Sequence, residues 1–135
     1  MIVYEEKHTI KSSGEIGDIM RKILNACNDE DRHKEKFYVI GLTAQNVIQF
    51  IDLSAFGTVN HCNPVIREVI RIALIKNSVS IIVCHNHPSG DTTPSAADKT
   101  FTHELMKACR VMQISLLDHL IIGDDIFSFA DSGIL

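Results

Sequence analysis

The sequence predicts an α/β fold in which a mixed β-sheet is flanked by helices. Segments with helical spacing of apolar residues alternate with short β-type runs, in the order αββαβαββ. One run, residues 79–84, is nearly all apolar, which is typical of a strand covered on both faces. With 45% hydrophobic and 22% charged residues, the 135 residues have the composition of one globular domain, expected to span residues 1–135.

The first half of the chain predicts a helix followed by a hairpin. Ser12, with Glu15 three residues later, predicts a capping box. Apolar residues then recur at helical spacing as far as Cys27. Residues 37–42 and 47–53 are rich in β-branched and aromatic side chains and are separated by a short polar turn, so we expect them to pair.

The second half of the chain predicts further helices and strands. Asn63 followed by Pro64 predicts the start of a second helix, which should end near Asn77. Ser95 predicts the cap of a third helix. The strands expected around these helices are residues 79–84, then 114–122 and 126–130, the last two forming a closing hairpin.

Charge and cysteine usage narrow the function classes. The formal net charge is −4, and the 13 basic residues are dispersed among 17 acidic ones, so nucleic-acid binding through this domain alone is not expected. No apolar run approaches the roughly 18 residues of a membrane span, and the N-terminus lacks a signal-peptide pattern, which predicts a cytoplasmic protein without a membrane partner. The cysteines form no Cys-x-x-Cys pair and predict reduced, mostly buried thiols: Cys27, Cys62, Cys84 and Cys109.

One segment, His85-x-His87-Pro88 followed by Ser95 and Asp98, carries most of the chemical information. Two histidines at i and i+2 leaving a strand point to the same side, so both imidazoles can reach one metal ion. An aspartate that opens the next helix can close on the same ion from across the loop. Two neutral nitrogens and one carboxylate oxygen suit Zn²⁺, and three protein ligands leave a fourth position for water, which is the catalytic pattern.

The same residues allow a simpler interpretation. Ser95 and Asp98 also fit an ordinary capping box, and the two histidines could be solvated loop residues. The histidines stand, however, at the carboxyl end of a strand, where α/β proteins commonly build their sites, and Asp98 faces the same loop. This placement favours the metal site.

The pattern His-x-His-Pro-x6-Ser-x2-Asp resembles the signature of the JAMM metalloproteases, also called MPN or JAB domains. The strings HNHPSGD at residues 85–91 and DHLIIG at 118–123 are similar to the bacterial RadC branch, over roughly residues 10 to 130. The resemblance implies a JAMM/MPN, cytidine-deaminase-like three-layer architecture and a zinc-dependent metallohydrolase. RadC proteins usually carry an additional N-terminal helix-hairpin-helix region, to which no part of this sequence corresponds.

The resemblance also implies roles for individual residues. His85, His87 and Asp98 match the zinc ligands of the family, and Ser95 matches the serine that helps to hold the oxyanion or the water. The family uses a glutamate just before its first strand as general base, and Glu35 stands in that position.

Three carboxylates near this motif leave their roles open. Glu35 lies in a charged stretch where a solvated surface carboxylate is the ordinary outcome, and Asp52, near the end of the second predicted strand, is the alternative base. Asp118 and His119 are adjacent on a strand, so only one of them can face the site. We expect Asp118 to orient a metal ligand through a hydrogen bond, with a buried structural role as the alternative. Cys84 is expected to point away from the site.

Three functions follow from these observations. The first is a zinc-dependent hydrolase of peptide or isopeptide bonds in a peptide or protein substrate, with Glu35 moving the proton and Ser95 stabilising the oxyanion. The second is a non-catalytic JAMM-like module that binds a protein partner. The third is the DNA-repair-associated role that the RadC family label suggests.

Overall fold

The fold is built around one mixed β-sheet. A computed structural model describes residues 2–4, 9–57 and 63–135, with the backbone alone described at residues 2–4, 29, 30 and 56. Cys62 lies outside the described residues. The elements, in chain order, are β1 (Ile2–Tyr4), α1 (Ser13–Asn25), α2 (Asp29–Arg32), β2 (Lys36–Leu42), β3 (Ile48–Phe56), α3 (Ile66–Ile75), β4 (Ser80–Asn86), α4 (Ala96–Val111), β5 (Ser115–Ile122) and β6 (Ile126–Ser128).

The six strands are hydrogen-bonded in the order β1-β3-β2-β4-β5-β6. Strands β4 and β5 are parallel and are connected through α4, whereas the other neighbouring strands are antiparallel. The predicted hairpins β2–β3 and β5–β6 are confirmed. The short edge strand β1 was not predicted, because three residues are too few to show a period.

Helices cover both faces of the sheet. Along β2, Tyr38 and Ile40 pack in one cluster with residues of α1, whereas Phe37 and Val39 pack in a second cluster with residues of α3 and α4. This alternation is the pleat of a strand that is buried on both faces. Burial of each large apolar side chain stabilises the fold by about 1.5–3 kcal/mol. The resulting order of α1, sheet, and α3 with α4 confirms the predicted three-layer α/β class.

One predicted capping bond and one predicted helix start need correction. Ser12 is the N-cap of α1, but its side chain makes no capping hydrogen bond. Helix α3 begins at Ile66 with Val65 as its N-cap, so Asn63 and Pro64 precede the helix and line a cleft instead. The longest helix, α4, has 16 residues, and no helix in the described part of the chain has the length and apolar character to cross a membrane.

Candidate metal centre

The end of β4 carries the two histidines of the motif. Side chains alternate along this strand, so Cys84 packs in the cluster beside α1 while His85 faces α4. His87 follows the strand, and its backbone N–H donates to the Ile122 carbonyl at 2.9 Å. The Nε2 atoms of the two imidazoles lie 3.0 Å apart. The predicted orientation of both rings to one side, and of Cys84 to the other, is confirmed.

Asp98 reaches the histidines from the first turn of α4. Its backbone N–H donates to Ser95 Oγ at 3.0 Å, and the Ser95 N–H donates to Asp98 Oδ2 at 2.9 Å, which forms a complete capping box. The same carboxylate places Oδ1 3.5 Å from His85 Nε2 and Oδ2 3.3 Å from His87 Nε2. The two interpretations of this motif are therefore compatible, because the helix cap holds the carboxylate in place. The candidate ligand atoms of His85, His87 and Asp98 lie within 4.8 Å of one another and could hold a metal ion.

Hydrogen bonds fix the protonation of the His87 ring. Its Nδ1 lies 2.8 Å from the Asp91 backbone carbonyl oxygen, which can only accept. Nδ1 therefore carries the hydrogen, and in the neutral ring Nε2 keeps its lone pair. That lone pair faces Asp98 and His85, as a metal ligand requires.

A chain of three hydrogen bonds fixes the His85 ring. Thr102 Oγ1 donates its hydrogen to the Asp98 backbone carbonyl at 2.7 Å, so it must accept from His119 Nδ1 at 2.5 Å. His119 is neutral, because burial and the neighbouring His85 lower its pKa well below the usual range. Its Nε2 then accepts from His85 Nδ1 at 2.7 Å. In the neutral ring, His85 Nε2 then keeps its lone pair, like Nε2 of neutral His87.

Asp118 does not take the predicted place beside the histidines. Its carboxylate is fully buried on the α1 side of the sheet and ties β5 to its surroundings. It accepts hydrogen bonds from the hydroxyls of Ser13 and Ser128 and from the backbone N–H groups of His119 and Ala130. His119, its neighbour on the opposite face of β5, makes the hydrogen bond to His85 instead. These contacts fit the alternative role for Asp118, that of a buried structural residue.

The pKa values of Asp98 and the neighbouring His87 depend on one another. Burial alone would raise the pKa of Asp98, but hydrogen bonds from His85 and His87 and the attraction of His85 outweigh it and hold that pKa well below its usual range. The hydrogen bond to Asp98 raises the pKa of His87 despite burial, and the charge of Glu35 adds to this effect. A cation in this place would thus meet an ionised carboxylate.

A cleft of about 880 Å³ opens over the cluster. Ser95 and Glu35 line it together with the candidate ligands, and Phe37 and Phe101 supply an apolar wall, with ring centroids 5.3 Å apart. Glu35 is half-buried there and is not a fully solvated surface carboxylate. Asp52, the alternative base, is buried in β3 opposite Val39 and is not among the described residues that line the cleft.

Sequence reasoning preferred Asp118 to His119 and missed two further residues, Thr102 and Asn86. The DHLII string of β5 is buried on both faces, so hydropathy could not show which of Asp118 and His119 faces the cluster. Thr102 occupies one position of an amphipathic helix, and only its spacing of one turn from Asp98 was a signal. Asn86 lies inside the motif but was passed over because its side chain offers no metal ligand of the expected type.

The fold and the cluster together define a class. A mixed sheet with His-x-His at a strand end, and an aspartate opening the following helix, describes a JAB-type domain with a candidate metal centre. Residues 10–134 match the RadC-like JAB domain, and the chain belongs to that family.

Several curated proteins are similar to this chain. The UPF0758 proteins of Shewanella pealeana and Shewanella halifaxensis are each 45% identical to it over 105 residues, which cover 76% of this chain and 46% of each relative. The UPF0758 protein of Shewanella piezotolerans is 44% identical over the same length. The chain thus spans about half the length of the curated relatives it matches.

Proposed function

We propose that this chain is a zinc-dependent hydrolase of peptide or isopeptide bonds. The observation that carries the proposal is the convergence of His85 Nε2, His87 Nε2 and the Asp98 carboxylate beside an open cleft. Membership of the RadC-like JAB domain family supports the same class of metallohydrolase.

The ligand atoms suit zinc in kind, and the separation of the two imidazole nitrogens is near that of zinc ligands. Two neutral imidazoles and one carboxylate are a usual catalytic zinc set. Ligand atoms around a tetrahedral zinc ion, with bonds of about 2.0–2.1 Å, lie about 3.3 Å apart. The two imidazole Nε2 atoms lie 3.0 Å apart, and each Asp98 oxygen approaches one of them, Oδ1 at 3.5 Å from His85 and Oδ2 at 3.3 Å from His87. With one ligand atom from each residue, the set lies within 4.8 Å. When bound, zinc lowers the pKa of a water molecule toward neutrality and polarises a carbonyl group.

Glu35 and Ser95 supply the remaining chemistry. Glu35 takes a proton from the attacking water as the new carbon–oxygen bond forms, and returns it to the amine nitrogen as the carbon–nitrogen bond breaks. The Ser95 hydroxyl oxygen accepts from the Asp98 N–H, so its own hydrogen can be donated to the carbonyl oxygen as that oxygen gains negative charge. Both side chains line the cleft, within the same opening as the ligands.

The general base gives the sharpest test. We expect Glu35→Gln to lower kcat by roughly 10²- to 10⁴-fold on a hydrolysed peptide or isopeptide-linked peptide pair, because the amide cannot accept the proton. Zinc content should stay at the wild-type level, since Glu35 is not one of the ligands. Glu104→Gln makes the same change at an exposed position of α4, where Glu104 pairs with Lys107, and should leave kcat unchanged.

Other outcomes have clear meanings. If Glu35→Gln cleaves as fast as wild type, the proposed base is wrong. If wild-type protein binds zinc but hydrolyses no member of a broad peptide and isopeptide library, the hydrolase proposal fails and a non-catalytic protein-binding module takes its place.

A further inference from the structure

We propose that Asn86 is a positioning residue that holds Glu35 in front of the His85, His87 and Asp98 cluster. This inference rests on the proposed function, in which Glu35 is the general base. Asn86 is the last residue of β4, directly after His85, and only 6% of it is exposed.

The Asn86 side chain clips the segment that carries Glu35. Its Oδ1 accepts a hydrogen bond from the Lys36 backbone N–H at 2.7 Å. Its Nδ2 donates to the Lys34 backbone carbonyl at 3.0 Å. The two bonded groups stand on either side of Glu35 in the chain, so one amide fixes the backbone of all three residues.

The Asn86 side chain holds this segment from the face of the sheet opposite the cleft. Side chains alternate along β4, so Asn86 shares with Cys84 the face opposite His85. Glu35, in contrast, lines the cleft together with His85. Asn86 is not among the described residues that line the cleft, so it can fix the backbone of Glu35 without occupying space that a substrate needs.

The clip joins the base to the strand that carries a candidate ligand. The β2–β4 ladder ends at the pair of Phe37 and His85, and the Asn86 side chain continues the contact by one residue. On its other side, the segment is held by the Gly57 N–H, which donates to the Glu35 carbonyl at 2.8 Å. Because Asn86 adjoins His85, any displacement of the Glu35 backbone relative to the ligands must strain these bonds. Displacements of about 1 Å can cost about 100-fold in rate.

The chemistry of the clip explains the residue type. It needs one donor and one acceptor at the end of a short side chain, and an amide offers both. An aspartate keeps the acceptor for the Lys36 N–H but brings a second oxygen against the Lys34 carbonyl. An alanine removes both bonds.

The experiment compares Asn86→Ala and Asn86→Asp with a matched control. Ser78→Ala removes a partly buried hydrogen bond, from the Ser78 hydroxyl to Gln49 Oε1 at 2.7 Å, just before the other end of β4. Three quantities are measured in each protein: amide exchange at Lys36, broadening of the Glu35 carboxyl NMR signal by bound Co²⁺, and kcat with zinc. Exchange at Ile40, in the same strand, serves as the internal reference.

We expect Asn86→Ala to speed exchange at Lys36 by about tenfold or more relative to Ile40. The Co²⁺ broadening of Glu35 should weaken, and kcat should fall by about ten- to hundredfold, with KM and zinc content near the wild-type values. Asn86→Asp should keep part of the Lys36 protection and lose less activity. If the Asn86→Ala protein does not fold, the same three measurements on Asn86→Asp test the inference. Ser78→Ala should change none of them.

Two results would overturn the inference. One is a folded Asn86→Ala protein with faster Lys36 exchange but unchanged Co²⁺ broadening and kcat, which leaves the proposed function intact. The other is unchanged exchange at Lys36. Failure of the proposed function would look different: wild-type protein would bind no Co²⁺, or Glu35→Gln would be as active as wild type. In that case, amide exchange at Lys36 would be the measurement that tests whether Asn86 holds this segment.

Discussion

At the residue scale, the two histidines each have one ring nitrogen committed to a neighbour. His87 Nδ1 donates to a backbone carbonyl, and His85 Nδ1 donates to His119, so the Nε2 atoms of both rings face Asp98. Neighbours that orient a metal-bound histidine in this way raise its affinity for the metal. The orientation of both rings toward an ionised carboxylate is therefore present before any ion binds.

The role of His119 can be tested by an exchange of similar ring size. His119→Phe keeps an aromatic ring stacked on Phe129 but removes the acceptor for His85 Nδ1–H. We expect zinc to bind about 10- to 100-fold more weakly, measured by competition with a chromogenic chelator. Thr102→Val acts one hydrogen bond further away and should give a smaller loss in the same direction. Wild-type affinity in a folded His119→Phe protein would show that this contact does not orient His85.

Sequence patterns predicted the candidate metal ligands but not the residues that hold the site in place through hydrogen bonds. Period-two alternation is enough to bring His85 and His87 to one side, whatever the rest of the fold does. The choice between Asp118 and His119 depends on which face of β5 meets α4, and that is set by tertiary packing. Asn86 was missed for a related reason, because its partners are backbone groups 50 and 52 residues away along the chain.

At the element scale, the start of α4 combines a helix cap with a candidate ligand. The Ser95 and Asp98 capping box satisfies two backbone N–H groups and points the Asp98 carboxylate at the histidines. The cap was predicted from the sequence because its signature is local. The start of α3 was predicted too early, since Asn63 and Pro64 match a helix start locally while the structure has them line the cleft.

Two serine N-caps allow a matched comparison of helix starts. Ser95→Ala should lower the free energy of unfolding of metal-free protein by about 1 kcal/mol, because a capping bond is lost. Ser12→Ala should cost clearly less, since the Ser12 side chain makes no capping bond to α1. Urea denaturation in the presence of a chelator measures both. Equal losses in the two variants would contradict the difference seen between the caps.

At the scale of the whole molecule, topology brings the site together. The parallel strands β4 and β5 are connected by α4, so the carboxyl end of β4 and the N-terminus of α4 meet at one edge of the sheet. Such edges are where α/β proteins commonly bind ligands. The mixed sheet flanked by helices and most of its strands could be predicted from hydropathy, and the three-layer architecture was implied by the family resemblance. The six-strand order could not be predicted, because it depends on pairings far apart in the chain.

Competition between protons and zinc for His87 predicts that the apparent zinc affinity depends on pH. In metal-free protein the pKa of His87 is raised, chiefly by the hydrogen bond to Asp98. Protonated His87 therefore stabilises the metal-free fold at low pH, and this contribution is lost as the pH rises through that pKa. Zinc must displace the proton, so its apparent affinity should fall by about tenfold per pH unit below the raised pKa. Isothermal titration across this range measures the slope, and an affinity that does not change with pH would contradict it.

The most direct test of the proposed metal centre compares the metal content of wild-type protein with that of His87→Ala. Elemental analysis after exposure to zinc should find about one zinc ion per chain in wild type, and almost none in the variant. Circular dichroism should show that both proteins are folded, because His87 follows β4 and contributes little to the core. Absence of zinc from wild type, or full retention of zinc by folded His87→Ala, would contradict the assignment of His85, His87 and Asp98 as a metal centre.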